Sequence, residues 1–242
     1  MKSVVTEIAR DTYRISTFHP DYRIQFNQFL LKDDEPFLMH TGFKRMFPTT
    51  LEAVKSILNP ADLRWIGFSH FESDECGALN EWLEAASRAQ VICSRVGAMV
   101  NLNDYASRSV RPLADGETLQ TGLHRLRFFA TPHLPHGWDA GLFFDEVEQT
   151  FFCSDLFFQG GDPKPLTECD LIEQVGNAIR GNLAGPLAKD IPYTPYTDNT
   201  LHRLAAQKPT TLAIMHGSSF RGDGEKAIME LAALLKEFLG QA

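Results

Sequence analysis

No stretch of this sequence approaches the run of about 18 apolar residues that a membrane-crossing helix needs, so no membrane span is expected. Basic residues are scarce: 23 Lys and Arg stand against 31 Asp and Glu, a formal net charge of -8. No Lys/Arg cluster offsets that balance, which argues against a nucleic-acid partner. The four cysteines, Cys76, Cys93, Cys153 and Cys169, form no CxxC pair. They read as isolated thiols in a reducing cytoplasm. The first residues, Met1 to Glu7, lack the apolar core of a signal peptide, which also points to the cytoplasm. No internal repeat, low-complexity segment or linker interrupts the 242 residues, so a single domain over 1–242 is expected. An apolar content of 43% and a charged content of 22% are ordinary for a globular chain able to bury a substantial core.

What the sequence does have is concentrated in Ser69-His70-Phe71-Glu72-Ser73-Asp74-Glu75-Cys76-Gly77. Leu63 to Phe68 before it is short and apolar, a buried-strand pattern; Ala78 to Ala86 after it has helical spacing. His70, Glu72, Asp74 and Glu75 therefore fall between the end of a strand and the start of a helix. Carboxylates this close repel one another, and one must stay protonated unless a cation intervenes. The alternative is a solvated acidic loop in which Asp74 or Glu75 favours the helix N-terminus. Cys76 reads as a small buried hydrophobe rather than a ligand.

Along the chain, four β-prone segments precede residue 40, at 4–8, 12–16, 26–31 and 36–39, separated by turn signals. Residues 48–58 read as a capped amphipathic helix stopped by Asn59-Pro60. Val91 to Ser94 is another short strand, 96–106 a helix, and 112–121 a turn-rich acidic stretch. Leu123 to Ala130 alternates as a strand, and 141–145 with 150–155 reads as a hairpin. Helices are expected near 171–180 and 197–207, a strand at 210–215, and an amphipathic closing helix at 224–239.

Strand ends deliver the same residue types repeatedly. His70 follows one apolar run, His133 another through Thr131-Pro132, Asp155 follows Ser154, and His216 follows Met215. Loops after strand ends are where ligand sites of layered α/β sheets cluster. Three histidines with Glu72, Asp74, Asp155 and Glu75 exceed the four ligands of a structural zinc. They suit a metal pair held ~3.5–4 Å apart, with an aspartate between the ions. Imidazole and carboxylate without thiolate fit iron, manganese or zinc, and the richness in carboxylate favours iron.

Together, His70-x-Glu72-x-Asp74, His133-x-Pro135, Ser154-Asp155 and His216-Gly217 resemble the diiron branch of the metallo-β-lactamase superfamily, which includes the flavodiiron proteins and stand-alone oxygen-binding diiron proteins. Phe26-Asn27-Gln28 and Cys76-Gly77-Ala78-Leu79 extend the resemblance. Glu72 stands where hydrolytic members carry a second His, the mark of the iron branch. The resemblance implies an α+β fold, a four-layer αββα sandwich with the site at one edge. It implies two iron ions, one on His70, Glu72 and His133, the other on Asp74 and His216, with Asp155 bridging. Dioxygen or nitric oxide would bind there and be reduced, or be sensed. Two departures stand out. Glu75 replaces the family's usual His and would be a further ligand. No Gly/Ser/Thr-rich phosphate loop is visible, so this chain is expected to bind no flavin and to take electrons from an external donor protein, or to signal to a partner. A homodimer is the family habit, although without flavin its electron-transfer reason is lost. Zinc or manganese could replace iron. The main alternative function is a dinuclear zinc hydrolase of esters, thioesters or phosphodiesters.

Overall fold

The computed structural model describes residues 1–188 and 190–240; Lys189 and the last two residues of the expected 1–242 span lie outside the described residues. Short β-prone runs separated by turns open the chain as a meander: β1 (Ser3–Ala9), β2 (Thr12–His19), β3 (Ile24–Leu31) and β4 (Phe37–Met39), each antiparallel to the last. Three crossovers then add parallel strands. β5 (Trp65–Gly67) follows α1 (Phe47–Lys55); β6 (Gln90–Ser94) follows α2 (Ser73–Cys76) and α3 (Leu79–Ala85). β7 (Val110–Leu113) follows α4 (Arg95–Gly97), a π-type turn over Ala98–Leu102, and α5 (Asn103–Tyr105). The first sheet therefore runs β1-β2-β3-β4-β5-β6-β7.

A second seven-stranded sheet, in the order β12-β14-β13-β11-β10-β9-β8, is built from β8 (Thr118–Gln120), β9 (Arg125–Ala130), β10 (Gly141–Asp145), β11 (Thr150–Ser154), β12 (Leu166–Thr167), β13 (Thr211–Ile214) and β14 (Ser219–Arg221). Between β12 and β13 lie α6 (Ile172–Leu183) and α7 (Thr197–Ala205), and α8 (Gly224–Leu239) closes the described chain. The Asp223 side chain caps α8 by accepting from the Lys226 N–H at 2.9 Å.

The period-two alternation of a strand sorts each apolar run between two cores. Phe29, Phe37, Ile92, Phe128, Phe143 and Phe152 meet between the sheets. Their neighbours point outward: Leu30, Leu38 and Val91 pack under Leu79, Trp82 and Leu83, whereas Leu142, Phe144 and Phe151 pack under Val175, Leu201 and Leu231. Strands buried on both faces read as continuous apolar runs, as Gly141 to Phe144 and Phe151 to Cys153 do. The result is the α+β, four-layer αββα sandwich expected from the resemblance.

Four local expectations differ. The acidic stretch 112–121 contains the end of β7 and all of β8, because short edge strands need little apolar sequence. The short strands β12 and β14 were not expected from the pattern. The π-type turn interrupts the helix expected at 96–106. Met46, at the head of α1, makes no side-chain cap; Pro48 in the first turn costs nothing there, since its missing N–H has no helical partner.

Candidate metal centre

β9 and β11 run in the same direction, as do β11 and β13, so their C-terminal ends reach one edge of the second sheet. β4, β5 and β6 end together on the first sheet. Cross-sheet hydrogen bonds bring the two edges together: Gly141 N–H donates to the Ser69 carbonyl at 2.8 Å, and Asn27 N–H to the Met215 carbonyl at 3.0 Å. The buried Asn27 side chain also donates to the Ile214 and Gly217 carbonyls, at 2.8 and 3.0 Å. Gly217 adopts φ +104, a conformation that favours glycine, and this turns the chain directly after His216. Arg14, also buried, donates to the same Gly217 carbonyl at 2.9 Å.

Six of the seven residues singled out in the sequence converge here. Asp155 sits at the middle, with its two oxygens facing opposite ways. Oδ2 lies 3.4 Å from His70 Nε2 and 3.6 Å from His136 Nε2; Oδ1 lies 3.1 Å from His216 Nε2. Glu72 approaches His136 at 3.1 Å and His70 at 3.8 Å. Asp74 lies 3.4 Å from His216. Glu75, on the one-turn helix α2, is fully buried with Oε1 3.8 Å from His70 Nε2. Gly77 lets that helix close tightly, because a Cβ there would meet the Ser73 carbonyl oxygen at 2.2 Å.

The seventh residue requires a correction. His133 was expected at the centre and is instead exposed on the loop after β9; His136 occupies the place. The reason is local. Residue 133 takes φ +65, its N–H donates to the Gly137 carbonyl at 2.7 Å, and Thr131 Oγ1 donates to the Leu134 carbonyl at 2.7 Å. That turn buries Leu134 and directs residue 136 inward. His136 was not among the ligands expected from the sequence. The signal available in the sequence was a second His in the same loop, three residues on.

Two histidines are oriented through their second nitrogen, as metal-ligating imidazoles are. His216 Nδ1 is 2.9 Å from the Gln25 carbonyl, which fixes the N–H on that side and leaves Nε2 facing Asp155. His70 Nδ1 is 2.9 Å from Ser69 Oγ, which also lies 3.1 Å from His40 Nε2 and 2.7 Å from Ser154 Oγ. His40, buried beneath the cluster, is pushed down to about 3 chiefly by that burial.

The electrostatics suit a cation. Burial, then Asp155 and Asp74, raise the Glu75 carboxyl well above the usual carboxylate range. Burial would do the same to Asp155, but His216, His70 and His136 outweigh it and hold Asp155 low. Burial likewise opposes a proton on His216, yet Asp155 and Asp74 drive it up to about 10. His136, then His70, holds Glu72 down to about 2. Meanwhile His70 Nε2, both oxygens of Glu75, both ring nitrogens of His136 and Asp155 Oδ1 are buried without an aligned hydrogen-bond partner. Buried polar groups are seldom left that way. Donor atoms of His70, Glu72 and His136, of His70, Glu75 and Asp155, and of Glu72, Asp74 and Glu75 each lie within 4.8 Å of one another, so the residues fit a metal pair. Cys76 belongs to none of these groups: its thiol donates to the Glu72 carbonyl at 2.9 Å, and burial pushes it up to about 12.

The cluster opens into a cavity of about 460 Å3. Phe26 and Phe158 stand against the His216 ring, with centroids 5.1 and 5.4 Å away. Of the other aromatic residues near Asp155, Phe143, Phe144, Phe151, Phe152 and Phe157 are core, and Trp138 is exposed. Tyr193 packs against the core of the second sheet, and Tyr196 is exposed.

The chain is similar to the flavo-diiron protein FprA2 of Clostridium acetobutylicum, at 24% identity over 209 residues, covering 84% of this chain and 51% of that protein. It is similar to the rubredoxin-oxygen oxidoreductase of Megalodesulfovibrio gigas, at 25% identity over 202 residues, covering 81% and 49%. The chain thus spans about half the length of these curated relatives. The solved rubredoxin oxygen:oxidoreductase from the anaerobe Desulfovibrio gigas shares the fold with a TM-score of 0.82 at 21% identity, over 95% of this chain and 61% of that one. Residues 24–177 match the family model described as ODP family beta lactamase, and on that match the chain belongs to this family.

Proposed function

We propose that the chain is a non-haem diiron protein that binds dioxygen, or nitric oxide, and reduces or senses it using electrons from an external donor. The observation that carries this reading is Asp155, a carboxylate with one oxygen toward His70 and His136 and the other toward His216. On this reading His70, Glu72 and His136 would hold one iron and Asp74 and His216 the other, with an oxygen of Asp155 available to each. Glu75 supplies a further oxygen beside His70, with both of its own oxygens otherwise unpartnered. Bound there, a ferrous pair would supply two electrons.

The surrounding residues have definable tasks. The Gln25 carbonyl and Ser69 hydroxyl hold the two imidazoles in register. Phe26 and Phe158 pack edge-on against the His216 ring and help to hold its plane. The need for a donor protein is inferred from the likeness to a rubredoxin-oxygen oxidoreductase. The same reading takes 1–242 as a single domain acting in the cytoplasm. No helix among the described residues is long and apolar enough to cross a membrane.

The test is elemental analysis of protein from iron-supplemented cells, followed by anaerobic reduction and exposure to air. The expected result is two irons per chain, ferric absorption on oxidation and oxygen uptake. Zinc in the centre with no oxygen uptake, together with ester or phosphodiester hydrolysis, would replace this reading with a metallohydrolase.

A further inference from the structure

The cavity in front of the centre is far larger than a diatomic gas requires. Dioxygen needs little more room than the ~30 Å3 that water occupies in the liquid. Cavities of ~300–1,000 Å3 hold organic ligands, and this one measures about 460 Å3. One wall is aromatic: Tyr22, Phe26, Phe43 and Phe158 line it, with Phe26 and Phe43 edge to face at 4.9 Å. The facing wall is aliphatic, from Ile179 and Leu183 on α6 and Leu187 and Ile191 after it. Tyr22, Leu183 and Leu187 are exposed, so the apolar surface continues to the mouth. Scattered apolar side chains on a surface are ordinary, but a contiguous apolar patch leading into a cavity marks a binding site.

Charge narrows the ligand class. Glu72, Asp74, Asp155 and Asp190 line the cavity, and among the described residues no Lys or Arg does. Two divalent ions would balance Glu72, Asp74, Glu75 and Asp155, and among the described lining residues Asp190 then adds one further negative charge. Asp190 is itself turned to the protein, accepting from Asn182 Nδ2 at 2.9 Å and from the Ile191 N–H at 2.8 Å.

We propose that this cavity is a binding site for an uncharged, largely apolar organic molecule, seated between the aromatic wall and α6 beside the metal centre. The inference deepens the diiron reading and rests on it for what lies at the inner end of the cavity.

The probes are 1-N-phenylnaphthylamine, which is uncharged, and 1-anilinonaphthalene-8-sulfonate, which has the same ring system with an anionic group. Both are titrated by fluorescence, under anaerobic reducing conditions, into the chain loaded with ferrous iron. One equivalent of the neutral probe is expected to bind, with the sulfonate at least ~10-fold weaker, a difference of ~1.4 kcal/mol. Leu183→Trp is expected to lower affinity for the neutral probe by at least ~10-fold through filling the mouth, with iron content unchanged. Leu183→Arg is expected to reverse the preference toward the sulfonate. Circular dichroism reports whether each variant folds, and Leu187→Trp serves if Leu183→Trp does not. Equal binding of both probes, or neutral-probe binding undiminished by either tryptophan, overturns the site. Iron bound without probe removes this inference alone; probe bound without iron supports the cavity and removes the diiron reading.

Discussion

Two histidine–carboxylate groups lie at opposite ends of the same strands. At one end, just before β9, His124 Nδ1 meets Asp145 Oδ2 at 2.7 Å, and Asp145 Oδ1 accepts from the Val147 N–H at 3.1 Å. At the other, roughly 20 Å along the strand, stand His70, His136 and His216 around Asp155. His124, Asp145 and the residues of the second group are largely removed from water, so burial does not distinguish them. Their remaining valences do. The His124–Asp145 pair is closed on itself, whereas the second group leaves ring nitrogens and carboxylate oxygens facing one another unpaired. A buried acid beside a buried imidazole is a structural device when each satisfies the other. It becomes a candidate ligand set when acids and imidazoles crowd together with atoms left over.

Asp155→Ala should break that contrast most severely. It removes the oxygen facing each half of the cluster, and both irons should be lost from purified protein. The loss of affinity should exceed the ~10–100-fold that removal of an outer-shell partner costs. Retention of two irons by Asp155→Ala would refute a bridging role.

His136→Ala against His133→Ala sharpens the same point within one loop. The first should lose the iron on the His70 side and keep the Asp74–His216 side partly filled; the second should keep both, as its exposed position predicts. Iron per chain is the measurement, and the opposite pattern would restore His133 to the ligand set.

This pair also marks where the sequence stopped being legible. Apolar runs and turn signals sufficed for the main strands and for α8, whose bounds match the amphipathic stretch at both ends. The loop His70 to Glu75 was legible because its four donors fall within six residues, Asp155 because it directly follows β11, and His216 because it lies two residues past β13. The choice between His133 and His136 depended on a turn closed by Thr131, Gly137 and a positive φ, none of which leaves a hydrophobic pattern. Arg14 and Asn27 were out of reach as supports of His216 for a different reason. Their partner, the Gly217 carbonyl, is about 190 residues or more away along the chain.

At the closed pair, removing a partner should cost stability and leave metal alone. Asp145→Ala leaves the buried His124 without its acceptor and the Val147 N–H without its own. Breaking such a pair costs ~3–5 kcal/mol. Urea unfolding should show that loss while iron content stays at the wild-type value. Iron loss at constant stability would mean that the two ends are coupled in a way the separate networks do not suggest.

The smallest effect is a pH dependence at the same pair. Burial opposes a proton on His124, but Asp145 outweighs it, with Asp33 and Glu148 adding to the pull, so its pKa is raised. The folded state therefore holds the proton more tightly than the unfolded chain, whose imidazole titrates near ~6.5. Stability from this source is fully present below that value and declines as pH rises through the folded pKa, with a slope of at most ~1.4 kcal/mol per pH unit for one proton. His124→Gln keeps a donor toward Asp145 and carries no titratable charge. In the metal-loaded protein, the wild type should lose stability relative to this variant between pH 6 and the raised pKa. Parallel stability curves for the two proteins would show that the imidazole has the same pKa folded and unfolded, so that its charge does not close the pair; a wild type that gains stability as pH rises would show that the imidazole is held neutral.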